Sequence, residues 1–440
     1  MRHVNGWRGI VAFVVVITIT ANARAAEPLP MLHADGPNLV DLAGKTVVLK
    51  GCNLGNYLMF EGWMFGGTLQ QAGKGIRDGV TYDRALRKRF GDDKAEKLFG
   101  LYRQGWITPR DFEQIKAYGF NVVRLPFDYR LIQDDAPPYK IRPDAFRWLD
   151  HAVDMAEAAG VYTILDLHGV PGGQSREDHT GEAGQNHLWD DETCQRRTVD
   201  VWRAVAGHFK GRASVAAYDL MNEPYGDHKQ DVRPVLKKLM PQITRTIRDL
   251  GDTHVVYFPA PLTGGVGFYG DPHTQDLTNV AFTEHFYPGL FGGKPGMEPQ
   301  ARLLNVTLPA NRDQMRNIAS PYLIGEFNVV LEQNGSDRMM RAYFDRAAEY
   351  GWQATMWSYK LLKRDGGSGP NSWYLVTNAQ PLPTVDIDTC TYNEIETFLG
   401  RLATMPLARH ASLHDMLTRP TPPPLDLPDV RPAATSAESP

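Results

Sequence analysis

A short apolar run that ends in a polar pair and a proline occupies residues 217–224, Ala217-Tyr218-Asp219-Leu220-Met221-Asn222-Glu223-Pro224. About five such residues are typical of a buried strand in a parallel sheet. Because Pro224 cannot donate to a strand ladder, we expect the strand to end at Glu223. Catalytic residues of parallel barrels stand at the C-terminal ends of the strands, so Asn222 and Glu223 are candidate functional residues.

Seven further apolar runs of similar length lie along the chain and, for the most part, alternate with amphipathic segments. The eight predicted strands are residues 46–53, 121–126, 162–168, 217–223, 255–258, 280–286, 322–327 and 354–358. Alternating strands and helices indicate parallel strands joined by crossovers. Eight such units predict an α/β fold, a (β/α)8 TIM barrel with long βα loops. The alternative is a doubly wound open sheet, but no Gly-x-Gly-x-x-Gly follows the first strand.

Helix boundaries are marked by capping residues and glycines. Thr108-Pro109-Arg110-Asp111 has the composition of a helix start, with Thr108 as the cap and Pro109 in the first turn. A second helix is expected to begin near Pro143 and to end at Gly160. These boundaries support the strand–helix alternation.

The two ends of the chain differ in composition from the rest. Arg2 and Arg8 precede an apolar run at residues 10–19 and a small-x-small site, Ala23-Arg24-Ala25, which together predict a signal peptide over residues 1–26. An uncleaved membrane anchor is the alternative, although the apolar run is short for a spanning helix. We therefore expect a secreted or periplasmic protein with a catalytic domain at residues 27–417. Residues 418–440, rich in Pro, Ala, Thr and Ser, are expected to form a disordered tail.

Composition excludes several classes of protein. The net charge of -4 is spread along the chain without a basic block, which argues against nucleic-acid binding. Three cysteines, Cys52, Cys194 and Cys390, form neither a disulfide framework nor a Cys-x-x-Cys site, and a Cys194–Cys390 bridge stays open. The sequence has no His-Glu-x-x-His, no calcium-loop spacing and no Gly-x-Ser-x-Gly elbow. We expect no metal, no cofactor and a monomer.

The predicted strands end in residues that suit carbohydrate chemistry. They are Arg124, His168, Asn222, Glu223, His285 with Tyr287, Glu326 and Trp357. A barrel gathers such strand ends around one opening, although they are far apart in sequence. Taken singly, each has a plainer interpretation, such as a structural histidine, a core tryptophan, an ordinary ion pair or a helix-capping acid.

Glu223 and Glu326 close the fourth and seventh strands and can face each other across a sugar. Retaining glycosidases need two carboxyl groups about 5–5.5 Å apart, one as nucleophile and one as acid and then base. Arg124 beside Glu326 would keep that carboxylate ionised as the nucleophile, which leaves Glu223 as acid/base. Asn222 would bind the sugar 2-hydroxyl, and Tyr287 would donate to the nucleophile. Trp357 would form a platform for a sugar face.

With these residues in this order, the sequence resembles glycoside hydrolase family 5 over roughly residues 38–399. The resemblance implies a retaining hydrolase with Glu223 as acid/base and Glu326 as nucleophile. It implies a sugar-binding shell of Arg124, His168, Asn222, His285, Tyr287 and Trp357.

A closer likeness is to the exo-β-1,3-glucanase branch and its bacterial cellulase-like relatives. The stretch Gly51-Cys52-Asn53-Leu54-Gly55-Asn56-Tyr57-Leu58-Met59-Phe60-Glu61 is similar to that branch's Asn-Leu-Gly-Gly-Trp-Leu-x-x-Glu, which implies that Glu61 binds the non-reducing sugar. Asn56-Tyr57 replaces Gly-Trp, and Gly62 stands where the branch often has proline, so linkage preference and exo or endo action stay open. The expected substrate is a β-glucan. A carbohydrate-binding protein on an inactive barrel, or a relative that acts on mannan or a glycolipid, is the alternative.

Overall fold

The structure, a computed structural model, describes residues 28–227, 230–262, 264–290, 296–329, 336–367 and 373–430. The signal peptide expected at residues 1–26 lies outside the described residues. Within the described ranges, no helix combines the length and the apolar character that crossing a bilayer requires.

Eight parallel strands close into a barrel. They are Lys50–Asn53 (β1), Val122–Asp128 (β2), Tyr162–Gly169 (β3), Val215–Asp219 (β4), Val255–Pro259 (β5), Val280–Phe286 (β6), Tyr322–Phe327 (β7) and Gln353–Met356 (β8). Each strand pairs in parallel with its sequence neighbours, and β8 pairs with β1 to close the ring. The predicted (β/α)8 barrel is therefore confirmed.

Long connections and helices surround the barrel. The described α-helices are Gly79–Phe90 (α1), Asp92–Trp106 (α2), Pro109–Ala117 (α3), Arg147–Ala158 (α4), Glu192–Phe209 (α5), Arg233–Asp249 (α6), Met297–Arg302 (α7), Leu308–Asn317 (α8), Ser336–Glu349 (α9), Tyr392–Arg401 (α10) and Ala411–Thr418 (α11). The predicted cap of α3 is present, because Thr108 and Asp111 form a reciprocal capping box. The helix expected from Pro143 begins at Arg147 instead.

Short strands complete the loops and the chain ends. They are Leu32–Asp35, Asn38–Asp41, Leu69–Gln71, Lys74–Gly75, Val376–Asn378, Val385–Asp386 and Leu407–Arg409. The first two form an antiparallel hairpin whose Leu32 and Leu39 are fully buried among the side chains inside the barrel. This hairpin covers the end where the barrel strands begin, since Val47 N–H donates to Leu39 O at 2.8 Å. The opposite end, where the strands finish, is left for the candidate site.

The fourth strand is shorter than predicted. It ends at Asp219, so the expectation that it would run to Glu223 is wrong. Glu223 has a φ of +39°, a left-handed conformation that does not continue a strand. Ladder pairing stops after Asp219, yet the Asn222 N–H still donates to Leu167 O at 3.1 Å. The backbone thus turns at Glu223 while staying anchored to β3.

The chain after α11 packs along the barrel as far as it is described. Leu425 and Leu427 are partly buried against the main core. Arg341 Nη1 donates to Arg419 O at 2.7 Å, and Arg338 Nη1 donates to Pro424 O at 3.4 Å. The disordered tail is expected from residue 418, and residues 431–440 of it lie outside the described part. The three cysteines are free.

Candidate active site

The strand ends bring the sequence-predicted residues into one group. Hydrogen bonds, ion pairs and ring contacts link Arg124, His168, Asn222, Glu223, His285, Tyr287, Glu326 and Trp357. Glu61 lies near enough for the charges of Glu326 and Glu223 to act on its carboxyl group. Residues scattered over the sequence therefore surround one opening of the barrel.

Arg124 on β2 is the fully buried centre of this group. Its Nη1 donates to Glu326 Oε1 at 2.8 Å and to Asn53 Oδ1 at 3.0 Å. Its Nη2 donates to Asn222 Oδ1 at 3.0 Å. The planar guanidinium has its donors in a fixed geometry, so it sets the relative positions of these three side chains.

Two buried acids that sequence reasoning missed complete the surroundings of Arg124. Asp219 Oδ2 accepts from Arg124 Nε at 2.9 Å, and Asp166 Oδ1 lies 3.0 Å from Nη2. Burial raises the pKa of Asp166 to about 7 and of Asp219 to about 6, although Arg124 opposes both shifts. Burial also acts to lower the pKa of Arg124, but the surrounding carboxylates outweigh it, so this pKa is raised.

A chain of hydrogen bonds fixes the orientation of Asn222. His168 Nδ1 donates to Asp166 Oδ2 at 2.6 Å, and burial holds the pKa of His168 well below its usual range. His168 Nε2 is then an acceptor, and the Asn222 Nδ2 amide donates to it at 3.2 Å. Since Asn222 Oδ1 accepts from Arg124, the amide cannot be flipped without losing both bonds. One N–H of Nδ2 stays available for a bound molecule.

Glu326 on β7 is held through both carboxylate oxygens. Oε1 accepts from Arg124, and Oε2 accepts from the Tyr287 hydroxyl at 2.7 Å. Burial, together with the charge of Glu326, raises the pKa of Tyr287 well above its usual range, so the phenol stays a donor. The carboxylate is 5% exposed, which leaves it rigid and shielded from bulk water.

Glu223 faces Glu326 across a short gap bridged by His285. His285 Nδ1 donates to Glu223 Oε1 at 2.8 Å and lies 3.7 Å from Glu326 Oε2. One carboxylate oxygen of Glu223 and one of Glu326 lie within 4.8 Å of each other. Two acids far apart in sequence thus stand at a separation that one sugar can bridge.

The charges of Glu223 and His285 are linked. Burial acts to raise the pKa of Glu223, but the hydrogen bond with His285 and the charge of His179 outweigh it and lower the pKa to about 2. Burial acts to lower the pKa of His285, yet the charge of Glu326 and the bond to Glu223 raise it. The free site therefore favours a protonated His285 beside an ionised Glu223.

His179 is a third residue that sequence reasoning missed. It belongs to the one-turn 3-10 helix Asp178–Thr180 in the loop after β3, and its Nε2 lies 3.4 Å from Glu223 Oε2. The glycine-rich loop gave no periodic signal, and one histidine within it carried no pattern. Only the folded loop reveals that a second imidazole faces Glu223.

Glu61 lies in the loop after β1, where the sequence likeness had put a sugar-binding residue. Its Oε2 accepts from Trp63 Nε1 at 2.7 Å, while Oε1 is buried without a hydrogen-bond partner among the described residues. Burial raises its pKa well above the usual range. Such an orphaned oxygen is costly unless a bound group supplies a partner.

Aromatic rings line the opening. Trp357, 4% exposed, stacks on His168 with ring centroids 5.6 Å apart, and its peptide bond to Ser358 is cis. Trp373 has its ring centroid 5.6 Å from Trp63 and 5.7 Å from Tyr287. Rings of this kind provide apolar faces on which the C–H side of a sugar can rest.

Glu223, His285 and Glu326 also form the one group in the described ranges with metal-ligand spacing. Both oxygens of Glu326 are already taken by Arg124 and Tyr287, and His285 Nδ1 is bonded to Glu223. Arg124 also supplies the positive charge next to Glu326 that a cation would otherwise contribute. The arrangement fits acid/base and nucleophilic chemistry better than metal binding.

Comparison with known proteins agrees with this geometry. The family described as Cellulase (glycosyl hydrolase family 5) matches residues 92–361. A protein of Phanerodontia chrysosporium named "Beta-xylosidase" is 27% identical over 77% of this chain and 72% of its own length. "Probable glucan 1,3-beta-glucosidase A" of Aspergillus clavatus is 33% identical over 40% of this chain, but the match spans only 41% of that protein.

Solved structures share the fold at low sequence identity. A rutinosidase from Aspergillus niger has a TM-score of 0.56 and 17% identity, covering 71% of this chain and 90% of that chain. An endogalactoceramidase has a TM-score of 0.56 and 18% identity, covering 76% of each chain. At these identities the likeness is one of fold alone.

Proposed function

Because the chain belongs to glycosyl hydrolase family 5 and is a glycosidase with a glycan substrate, we propose that it is a retaining hydrolase of β-glucosidic bonds in glucans. Glu326 is the nucleophile and Glu223 the acid/base of a double displacement. The observation that carries the proposal is the gap of at most 4.8 Å between one carboxylate oxygen of each residue. Retaining enzymes place their two carboxyl groups about 5–5.5 Å apart, whereas inverting enzymes need room for a water molecule.

Glu326 suits the nucleophile role because hydrogen-bond donors hold both of its carboxylate oxygens. The guanidinium of Arg124 and the hydroxyl of Tyr287 each donate to one oxygen. These bonds orient the carboxylate towards the anomeric carbon. When the C–O bond to Glu326 forms, its negative charge disappears, and Arg124 is left with the buried acids Asp166 and Asp219.

Glu223 suits the acid role because its protonation state is linked to that of His285. While His285 is protonated Glu223 is ionised, but when His285 is neutral and keeps only its Nδ1 proton, burial favours a protonated Glu223. That proton passes to the leaving oxygen as the glycosidic bond breaks. Once Glu326 is glycosylated its charge is gone, which lowers the pKa of Glu223, so the carboxylate can take a proton from water.

The sugar that undergoes attack would contact groups left unsatisfied in the free site. The spare Nδ2 hydrogen of Asn222 suits the 2-hydroxyl, a contact that strengthens in the transition state. Glu61 Oε1, buried without a partner among the described residues, suits a hydroxyl at the non-reducing end. Trp357 supplies the apolar platform, and His168 supports Trp357 and Asn222 from behind.

A panel of substrates and two variants test the proposal. We expect turnover of laminarin or of β-1,4 or β-1,6 glucans. Aryl β-glucosides and aryl β-xylosides are included because one relative is named a glucan 1,3-beta-glucosidase and another a beta-xylosidase. Glu326→Gln should lower kcat by roughly 10³-fold or more, since it removes the nucleophile. Glu223→Gln should spare mainly substrates whose leaving group needs no proton. Wild-type rates in Glu326→Gln would refute the assignment.

The stereochemistry of the first product provides an independent test. Double displacement gives a β-anomer as the initial product, visible by NMR before mutarotation. Immediate release of the α-anomer would exclude a covalent intermediate on Glu326. A barrel that binds glucans without turning them over would instead support the carbohydrate-binding alternative.

Export and oligomeric state complete the proposal. The basic residues Arg2 and Arg8, the apolar run at residues 10–19 and the Ala23-Arg24-Ala25 site support cleavage of a signal peptide. We expect mass spectrometry of the exported protein to show a mature N-terminus near residue 27. We expect a monomer by size-exclusion chromatography with light scattering.

A further inference from the structure

His179 is held firmly although it belongs to a long loop. The buried Thr180 hydroxyl donates to Glu177 O at 2.9 Å and to Ser175 O at 3.3 Å. On the other side, Gly181 O accepts from Val80 N–H at 3.1 Å, which ties the loop to the start of α1. The backbone next to His179 is therefore fixed by the contacts of Thr180 and Gly181, so the imidazole does not stand on a free loop.

The imidazole of His179 faces the oxygen of Glu223 that His285 does not bind. Its Nε2 lies 3.4 Å from Glu223 Oε2, with side-chain exposures of 19% and 14% for the two residues. That nitrogen is buried and has no hydrogen-bond partner among the described residues. Glu223 Oε1 accepts from His285 at 2.8 Å. Each oxygen of the acid thus faces its own histidine, Oε1 through a hydrogen bond and Oε2 at a longer contact.

This asymmetry identifies the oxygen that carries the proton. Glu223 Oε1 already accepts an N–H from His285, so a proton on the carboxyl group belongs on Oε2. The leaving oxygen must then approach Oε2, next to His179 Nε2. A contact of 3.4 Å is long for a hydrogen bond, so Oε2 can bond to the leaving oxygen while the imidazole stays against it and fixes its position.

We propose that His179 is a positioning residue for proton transfer, which holds Oε2 of Glu223 in line with the leaving oxygen. This inference rests on the proposed acid role of Glu223. In the first step the O–H bond of Glu223 breaks as the proton joins the leaving oxygen, the glycosidic C–O bond breaks and the bond to Glu326 forms. His179 acts on the proton transfer. The effect of His179 on the rate should therefore be larger for a leaving group that must be protonated than for one that departs as an anion.

Leaving-group dependence tests this role. His179→Leu removes the ring nitrogens at similar volume, and His179→Gln keeps a polar group near the position of Nε2. For laminaribiose, which needs a proton, we expect His179→Leu to lower kcat/KM about 10- to 100-fold and His179→Gln to recover part of the loss. For 2,4-dinitrophenyl β-glucoside, which needs none, we expect a change within about 3-fold.

The controls separate this role from a structural one. His151→Leu replaces a partly exposed histidine on α4, outside the site, and should leave both rates unchanged. Equal losses on both substrates, or no loss on laminaribiose, would overturn the role of His179. A wild-type enzyme that hydrolyses neither these two compounds nor any β-1,3, β-1,4 or β-1,6 glucan would instead overturn the proposed function, and this inference with it.

Discussion

At the scale of single residues, Arg124 is the cation around which three buried carboxylates are grouped. One buried guanidinium contacts Asp166, Asp219 and Glu326, whose side chains are at most 5% exposed. Arg124→Met keeps much of the side-chain volume but leaves these carboxylates without a counter-charge. Breaking a buried ion pair by removing one partner costs about 3–5 kcal/mol, so we expect a loss of that size in urea unfolding. We also expect kcat/KM to fall at least about 100-fold, because Glu326 and Asn222 lose their common donor.

Arg212 offers a matched control. It contacts Asp154 at 2.6 Å and Glu157, both half exposed, at the surface of the molecule. Exposed ion pairs contribute about 0–1 kcal/mol, so Arg212→Met should unfold close to the wild type and keep full activity. Equal losses of stability in the two variants would refute the view of Arg124 as a buried centre of charge.

The sequence indicated the residues that follow apolar runs better than those inside them. Glu223 and Glu326 could be predicted because each stands at or near the end of an apolar run. Arg124 was predicted as a strand end, although it is the third residue of β2. Asp166 was missed because it lies among apolar residues within β3, and Asp219, which ends β4, was missed because it precedes the more obvious Glu223. A charged residue within a buried strand must have a partner, and that requirement is the signal that would have revealed them.

At the scale of elements, β6 and β7 approach closely at Gly325. A Cβ on Gly325 would lie 2.6 Å from Thr283 Oγ1 and 2.7 Å from His285 Nε2. Gly325→Ala should therefore displace His285 and with it Glu223. We expect a loss of about 1–3 kcal/mol in stability, as for other overpacked cores, and a clear fall in kcat. Thermal unfolding and kinetics on one aryl glycoside measure both effects.

Gly100 in α2 is the matched control for this steric effect. A Cβ there would meet no atom within 4 Å, and the residue lies within the helix. Alanine is the better helix former, so Gly100→Ala should stabilise the protein by about 0.5–1 kcal/mol and leave kcat unchanged. If Gly325→Ala changed neither stability nor kcat, β6 and β7 would be able to move apart without a cost in free energy.

The bounds of elements followed from the sequence where a strand begins in an apolar run and closes on an aromatic residue, and failed where the backbone departs from regular geometry. β6 and β7 have the predicted limits, because each begins in an apolar run and ends at a phenylalanine that follows the polar residues of the site. β4 does not, because the left-handed φ of Glu223 is imposed by its surroundings and has no local sequence signal. The same limit hid the loop that carries His179.

At the scale of the whole molecule, one end of the barrel is packed with apolar side chains and the other carries the charged residues of the site. The hairpin Leu32–Asp35 and Asn38–Asp41 fills the end where the strands begin with apolar side chains. The other end holds charged residues that would be unstable in a core, so stability and chemistry are kept apart. An aromatic cluster of Phe60, Phe65 and Tyr102 supports the loop that carries Glu61.

The C-terminal segment packs on the outer surface, so we expect it to contribute to the stability of the fold and not to the active site. Leu425 and Leu427 are partly buried, and Pro424 O accepts from Arg338 on α9. Removing residues 422–440 should cost about 1–2 kcal/mol from lost apolar burial and lower Tm by a few degrees. Because these contacts lie along α9, outside the barrel, kcat/KM should stay at the wild-type value.

A shorter truncation tests whether the loss of those contacts causes the expected fall in Tm. Removing residues 431–440 alone keeps Leu425 and Leu427, so its Tm should match that of the full chain. If both truncations left Tm unchanged, the segment would behave as the free tail that its composition suggested. If the longer truncation reduced kcat/KM as well as Tm, the loss of contacts on α9 would also disturb Glu326. The route would be through β7, because α9 is the helix that follows this strand.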